Sequence, residues 1–277
     1  MIKKDNLDIF WQFHQSTNEE MPQNTMAAFL YAWNLGGIPE LDIRTTKDGV
    51  IIAFHDDTPQ RTAVLDDSLK NKNISEFTFN EITRWDVGAS LNIKYAGEKV
   101  PSVEETFLKM KGHPERLVYL DLKDVDLCAL SKLIKDYKVE RQVIFTHKNQ
   151  QNCITMKKYS PSIRTMLWIG GTAEGIKEKF YKAMHNRFEG LDQVQLHLND
   201  KADINGWRYQ LDIEFVKYAV QEVTRCDLDL EVLPFKFDKE TLHMLLDFGI
   251  RWYATDEPKR FLQDVNEWRK KQIGNKV

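Results

Sequence analysis

The 277-residue chain is predicted to fold as a (β/α)8 barrel of the TIM type. From about residue 116 onward, short apolar segments alternate with amphipathic segments at a steady spacing, which is typical of repeated strand–helix units. With two apolar segments nearer the N-terminus these units number about eight, and the chain length suits one such barrel over residues 1–277. A doubly wound open sheet is the alternative, but no glycine-rich phosphate-binding motif follows the first apolar segment.

The first hundred residues supply two strands and an irregular segment. The aromatic residues at 9–14 predict a buried strand, and Asn24 or Thr25 is expected to cap a helix at 26–33. Alternating apolar and charged residues at 39–44 predict the second strand, after which an Asp-Gly turn leads to an apolar segment at 51–55. The periodicity weakens from 58 to 100, so this segment is predicted to be an insertion on the barrel.

The rest of the chain is regular. Ser102 and Glu105 form a capping-box pattern that predicts a helix start. Strands are then expected at 116–123, 142–146, 163–169, 190–198, 228–233 and 250–254. Helices are expected at 126–136, 150–159, 173–187, 213–222, 239–248 and from 258 onward.

The composition restricts the partners and the compartment. A net charge of −3 provides no basic surface for nucleic acid. No apolar run approaches the length of a membrane span, and the polar N-terminal residues do not form a signal peptide. The three cysteines show neither metal-site nor disulfide spacing. These features predict a cytoplasmic protein, although a secreted chain trimmed of its signal would look the same, and they do not indicate an oligomeric state.

A pair of carboxylates stands out on the second predicted strand. Glu40 and Asp42 are two residues apart, so both point to one side of the strand while Leu41 and Ile43 point to the other. Two carboxylates this close repel each other unless a cation lies between them, and Mg²⁺ and Ca²⁺ prefer oxygen ligands. The alternative is a polar strand face that contacts only solvent.

Four more polar residues end predicted strands, where (β/α)8 barrels place their active sites. Asp121 and Lys123 repeat the two-residue spacing, and His14 and His55 follow apolar segments. The three carboxylates could hold one Mg²⁺ or Ca²⁺ ion, while Lys123 neutralises a phosphate. Two histidines could divide the proton transfers at an attacking and a leaving oxygen, which fits a small-molecule phosphodiester substrate.

Further side chains are candidates for contacts with that substrate. Arg44 shares the strand side of the carboxylates and would either contact phosphate or pair with an acid. Aromatic side chains near predicted strand ends would form pocket walls. The candidate substrate-binding residues are Gln15, Arg44, Trp168, His197 and Phe235.

Several segments resemble the glycerophosphodiester phosphodiesterase family. They are His14, 24–29, 40–42, 46–50, 55–58, 61–62, 100–105, 120–123 and 254–258. The resemblance runs from His14 to Pro258 and implies a (β/α)8 barrel with a small subdomain inserted after the second strand. It also implies a divalent metal ion on Glu40, Asp42 and Asp121, with His14 and His55 as the acid–base pair and Lys123 on the phosphate or on a metal-bound oxygen.

Two glutamines depart from the family pattern. Gln15 and Gln23 stand where the family usually has arginine and glutamate. We hypothesise that the usual residues pair and that both charges were replaced together, because loss of one alone leaves an uncompensated charge. Gln15 and Gln23 are then expected within hydrogen-bonding reach of each other. Loss of the arginine also removes a phosphate contact. The sequence therefore does not determine which alcohols the phosphate of the substrate joins.

Two other functions fit parts of the pattern. The Asp121-x-Lys123 spacing is similar to that of spider-venom phospholipase D enzymes, which resemble transferases that form cyclic phosphates by intramolecular attack. A non-catalytic phosphate- or sugar-binding barrel is the second alternative. The presence of both histidines and all three carboxylates favours an enzyme, because a binding protein needs no acid–base pair.

Overall fold

The structure, a computed structural model, describes residues 7–17, 20–202 and 206–274. The fold is a (β/α)8 barrel, as predicted, with one extra strand outside the barrel. The chain divides into two compact units, one comprising residues 13–147 and 151–165 and the other comprising the remaining residues. None of the described helices is both long and apolar enough to cross a membrane.

The unit that contains residues 13–147 carries the predicted metal ligands. β1 (Phe10–Phe13) leads into it, and its other strands are β2 (Ile38–Thr45), β3 (Ile51–Ala53), β4 (Val118–Asp124) and β5 (Val143–His147). β2 pairs parallel with β4 and antiparallel with β3, and β4 pairs parallel with β5. The helices are α1 (Met26–Asn34), α2 (Phe79–Ile82), α3 (Val103–Met110), α4 (Leu127–Tyr137) and α5 (Gln150–Tyr159).

The second unit continues the strand–helix alternation. Its strands are β6 (Arg164–Ile169), β7 (Gln193–Leu198), β8 (Asp229–Pro234) and β9 (Trp252–Thr255), and each pairs parallel with the next. Its helices are α6 (Ala173–His185), α7 (Ile213–Arg225), α8 (Lys239–Asp247) and α9 (Pro258–Gly274). Every strand and helix predicted for this half of the chain is present, with ends displaced by a few residues.

Local sequence signals explain where helices begin. Thr25, one of the two expected caps, accepts a hydrogen bond from the backbone of Ala28 at the start of α1. Ser102 and Glu105 form the predicted capping box at the start of α3. On β2, Leu41 and Ile43 are fully buried, and strand geometry points them away from Glu40 and Asp42, which are buried on the other side.

The segment 58–100 folds into 3-10 turns and the short helix α2 around an apolar cluster of its own. Trp85 is central to this cluster, with its ring 4.9 Å from that of Phe77 and 6.3 Å from that of Phe54. β3 is the extra strand outside the barrel, and its Ile52 belongs to the same cluster, so the segment packs on that strand. Its status as a separate insertion in a single domain stays a prediction.

Candidate active site

Three buried carboxylates lie together on neighbouring strands. Glu40 and Asp42 lie on β2, and Asp121 lies directly opposite Asp42 on the parallel strand β4. One carboxylate oxygen from each residue lies within 4.8 Å of the others. The two-residue spacing on β2 and the β2–β4 register therefore assemble an all-oxygen set from distant parts of the sequence.

A tight turn after β1 supports Glu40. The backbone N–H of Gln15 donates to Oε2 of Glu40 at 2.6 Å, and the backbone N–H of Glu40 donates to Oγ of Ser16 at 3.0 Å. Gln15 and Ser16 have φ values of 50° and 43°, a left-handed conformation that is uncommon for residues with a side chain. The turn thus aims a backbone donor at the carboxylate.

Asn24 supports Asp42 in a similar way. Its side-chain amide donates to Oδ2 of Asp42 at 2.7 Å, and its carbonyl oxygen accepts from the backbone N–H of Asp42 at 2.9 Å. Asn24 is buried and has a φ of 51°, which asparagine tolerates better than most residues. Both hydrogen-bonding ends of its amide are committed to one metal-ligand candidate.

Lys123 pairs with two of the acids. Its ammonium lies 2.5 Å from Oδ2 of Asp121 and 3.1 Å from Oδ1 of Asp42. Burial favours the neutral amine, but Asp42 and Asp121 outweigh that effect, so the pKa of Lys123 is raised and the side chain stays charged. A fixed positive charge beside the carboxylates suits an anionic substrate group.

The carboxylates themselves fit a divalent cation. Burial, together with Asp42 and Asp121, raises the pKa of Glu40 from 4.5 to about 8, although His14 opposes this rise. Oδ1 of Asp42 is buried and makes no hydrogen bond within the described residues, and its ion pair with Lys123 is its only recorded polar contact there. A hard cation would relieve the repulsion and use that oxygen, so the residues fit Mg²⁺ or Ca²⁺.

Both predicted catalytic histidines lie one or two residues beyond a strand. His14 begins the 3-10 turn after β1, and His55 follows β3. Nδ1 of His55 lies 2.7 Å from Oδ1 of Asp56. Because an ionised carboxylate only accepts, Nδ1 carries the hydrogen, and Nε2 of the neutral ring is left as the acceptor. His55 is thereby held in a tautomer able to take a proton at Nε2.

Arg44 holds the backbone of His55. Its guanidinium donates twice to the carbonyl oxygen of His55, at 3.0 and 2.8 Å, and pairs with Asp57 at 2.6 Å. The pairing of β2 with β4 shifts register between Ile43 and Arg44, so Arg44 does not simply continue the row of carboxylates. The observed contacts match the expected acid pairing, and a contact with substrate stays a prediction.

Gln15 and Gln23 do not form the expected contact, so the hypothesis that their side chains pair with each other was wrong. The side-chain amide of Gln15 lies 3.3 Å from Nε2 of His55, whereas Oε1 of Gln23 accepts from Arg61 at 3.1 Å. The left-handed turn at Gln15 directs its side chain to His55, and a one-dimensional pattern could not indicate that direction.

The remaining substrate-binding candidates lie in the second unit. The rings of Trp168 and His197 are stacked at 5.3 Å, and Phe235 meets His197 edge-on at 5.3 Å. Nε2 of His197 lies 3.2 Å from Oε1 of Gln195, and a Cβ on Gly170 would fall 2.5 Å from Nδ1 of His197. The three residues thus form an aromatic cluster at the ends of β6, β7 and β8, and their part in substrate binding stays a prediction.

Sequence reasoning missed several supporting residues. The sequence predicts Asn24 only as a helix cap, although Thr25 fills that position, and Asp56 is not among the predicted site residues. Arg61 donates to both oxygens of Asp56, at 2.7 and 3.0 Å, and was not considered for the site at all. A polar residue directly next to a candidate site residue, as Asp56 is next to His55, is the signal that could have found one of them.

Comparison with known proteins gives a consistent result. A model of the glycerophosphoryl diester phosphodiesterase family matches residues 14–260. A glycerophosphodiester phosphodiesterase of Caldanaerobacter subterraneus subsp. tengcongensis is 28% identical over 264 residues, covering 92% of this chain and 96% of that protein.

Solved structures show the same fold. A glycerophosphodiester phosphodiesterase from Agrobacterium tumefaciens superposes with a TM-score of 0.70 at 18% identity, covering 92% of this chain and 98% of the other. A phosphodiesterase from Oleispira antarctica, in complex with its product sn-glycerol-3-phosphate, superposes with a TM-score of 0.73 at 17% identity, covering 93% and 96%.

Proposed function

This chain belongs to the glycerophosphoryl diester phosphodiesterase family and is a phosphoric diester hydrolase, and we propose that it cleaves a glycerophosphodiester or a related diester using one divalent ion and a pair of histidines. The observation that carries the proposal is the set of three buried carboxylates within 4.8 Å of one another. Lys123 pairs with two of them, and an Asp-oriented histidine lies in the same unit.

Glu40, Asp42 and Asp121 would hold the ion, which we infer to be Mg²⁺ or Ca²⁺ because all three ligands are oxygens. When bound, the ion supplies positive charge that polarises a phosphate oxygen. Lys123 is already charged and lies beside two of the ligands, so it would donate a hydrogen bond to the same phosphate. The phosphate would thus be fixed by groups of this chain that are preorganised before substrate arrives.

His14 and His55 would divide the proton transfers. Nε2 of His55 carries a lone pair when the ring is neutral, because Asp56 engages Nδ1. His14 follows β1 and directly precedes Gln15, whose backbone N–H donates to the Glu40 carboxylate, and this neighbourhood supports its assignment to one of the two transfers. One histidine takes the proton of the attacking water and the other protonates the departing alkoxide, giving an alcohol and a phosphomonoester.

Hydrolysis of bis(p-nitrophenyl) phosphate tests the proposal. The assay is run with Mg²⁺, Ca²⁺ or Mn²⁺ and with chelator, on the wild type and on Glu40→Gln, which keeps the side-chain shape and removes the charge. We expect turnover that needs the metal and falls by at least about a hundredfold in the variant. Glu189→Gln, an exposed glutamate in the turn that follows α6, is the matched control and should behave as wild type.

Three outcomes would contradict the proposal. Full activity of Glu40→Gln, or of wild type in chelator, would remove the metal site from the reaction. Product analysis by phosphorus NMR on a glycerophosphodiester completes the test, because a monoester supports hydrolysis and a cyclic diester would identify intramolecular attack instead.

A further inference from the structure

One continuous chain of side-chain contacts joins the two unusual glutamines through His55. Oε1 of Gln23 accepts from Nη2 of Arg61 at 3.1 Å. Arg61 donates to Asp56 from Nε at 2.7 Å and from Nη2 at 3.0 Å. Asp56 binds Nδ1 of His55 at 2.7 Å, and the amide of Gln15 lies 3.3 Å from Nε2 on the opposite edge of the ring.

From this chain we propose that Arg61 and Gln23 are positioning residues for His55 and that they act through Asp56. The inference rests on the proposed function, in which His55 transfers a proton. It assigns a role to Arg61 and Gln23, which the hydrogen bonds of the described residues link to the His55 ring only through Asp56. Neither residue is in contact with His55 through the recorded hydrogen bonds.

The argument begins with how Asp56 is shared. Oδ1 of Asp56 serves both Nδ1 of His55 and Nη2 of Arg61, and Oδ2 receives Nε of Arg61. This two-point grip fixes the plane of the carboxylate and, with it, the direction of the imidazole. Burial opposes ionisation of Asp56, but Arg61 and His55 outweigh it and lower its pKa, so Asp56 remains charged.

Arg61 needs a second anchor because its side chain is about half exposed, at 56%. A guanidinium in that position loses side-chain entropy when it is held in one rotamer. Gln23 supplies a second acceptor for Nη2 of Arg61, the nitrogen that also donates to Oδ1 of Asp56. Because the glutamine amide is neutral, it orients Arg61 without competing for its charge, and Asp56 keeps the charge-assisted bonds.

Other charged groups near His55 act on its backbone. Arg44 donates to the carbonyl oxygen of His55 and pairs with Asp57. Within the described residues, Asp56 is therefore the one charged side chain recorded in contact with the His55 ring. An effect of Arg61 or Gln23 on that ring should pass through Asp56.

Combined substitutions test this order of action. Arg61→Gln removes the grip on Asp56, and Gln23→Met keeps the length of the side chain but removes the acceptor. We expect kcat to fall about tenfold in the first and about threefold in the second, with KM changed less. In an Asp56→Asn background both substitutions should have no further effect on kcat. Arg84→Gln, an exposed arginine in the same 58–100 segment, is the matched control.

Additive losses in the Asp56→Asn background, or an unchanged kcat in both single variants, would overturn the proposal. A second readout does not need turnover. In ¹⁵N-histidine spectra, the Nδ1-protonated tautomer of His55 should lose population in Arg61→Gln and in Gln23→Met but not in Arg84→Gln. An unchanged tautomer ratio would also overturn the proposal. If the wild type hydrolyses no diester, the proposed function fails, while these spectra still decide whether Arg61 and Gln23 position the ring.

Discussion

Replacing Asn24 should destabilise the metal-free protein more than a typical substitution at a polar residue. The side chain makes a charge-assisted hydrogen bond of 2.7 Å to Asp42 and accepts one of 2.9 Å from its backbone. Loss of the two bonds in a buried setting costs about 3 kcal/mol. Alanine at a φ of 51° adds about 1 kcal/mol of backbone strain, so Asn24→Ala should lose about 4 kcal/mol.

A glycine variant separates the two contributions. Asn24→Gly loses the same hydrogen bonds but accepts the left-handed backbone, so it should lose about 3 kcal/mol. Lys138 is the control, because it is exposed, has a φ of 58° and ends α4. There, Lys138→Gly should be more stable than Lys138→Ala by about 0.5–1 kcal/mol, with neither variant losing a comparable hydrogen bond.

The assay is urea unfolding followed by circular dichroism, with chelator present so that metal binding does not contribute. A loss of less than about 1 kcal/mol in Asn24→Ala would refute the reasoning, because two buried hydrogen bonds would then contribute almost nothing. A glycine variant less stable than the alanine variant would refute the strain argument alone.

Three further outcomes are expected. Burial is the main cause that raises the pKa of Glu40 from 4.5 to about 8, so the folded state holds this proton more strongly than the unfolded state does. The free energy of unfolding of the metal-free protein should therefore fall as the pH rises between those values. In Glu40→Gln, the urea midpoint should no longer change with pH for this reason. Arg44→Met, which frees the carbonyl of His55, should lower kcat about tenfold while metal affinity measured by calorimetry stays unchanged. Ser102→Ala breaks the capping box with Glu105 and should lower the free energy of unfolding by about 1 kcal/mol, whereas an unchanged value would show that α3 does not depend on this cap.

Much of the fold could be predicted because the signals are local. The α3 capping box and the burial of Leu41 and Ile43 follow from spacing within a few residues, since strand periodicity and cap chemistry act at that range. The barrel followed from repetition of such units. Exact strand ends were less accurate; β1 and β3 stop before His14 and His55, because these residues enter turns stabilised by tertiary contacts.

The metal-ligand candidates could also be predicted from the sequence, because their positions follow from strand periodicity and from the repeated architecture. Glu40 and Asp42 share a strand face, and Asp121 ends a neighbouring strand of a repeated architecture. Lys123 repeats that spacing and lies in contact with Asp121 and Asp42. Their assignment as ligands and as a phosphate contact stays a prediction, but their convergence was expected from topology.

The sequence by itself determined the barrel, the helix caps and the residue types able to bind a cation, because each depends on periodicity or on neighbours in the chain. Only the tertiary structure decided which groups orient the candidate metal ligands and the candidate catalytic histidine His55. Asn24 reaches Asp42 across 18 positions, and Arg61 reaches Gln23 across 38. Such contacts depend on backbone direction at single residues, as at Gln15, where a left-handed turn aims the side chain at His55. The periodicity of the sequence does not indicate the backbone direction at such a residue.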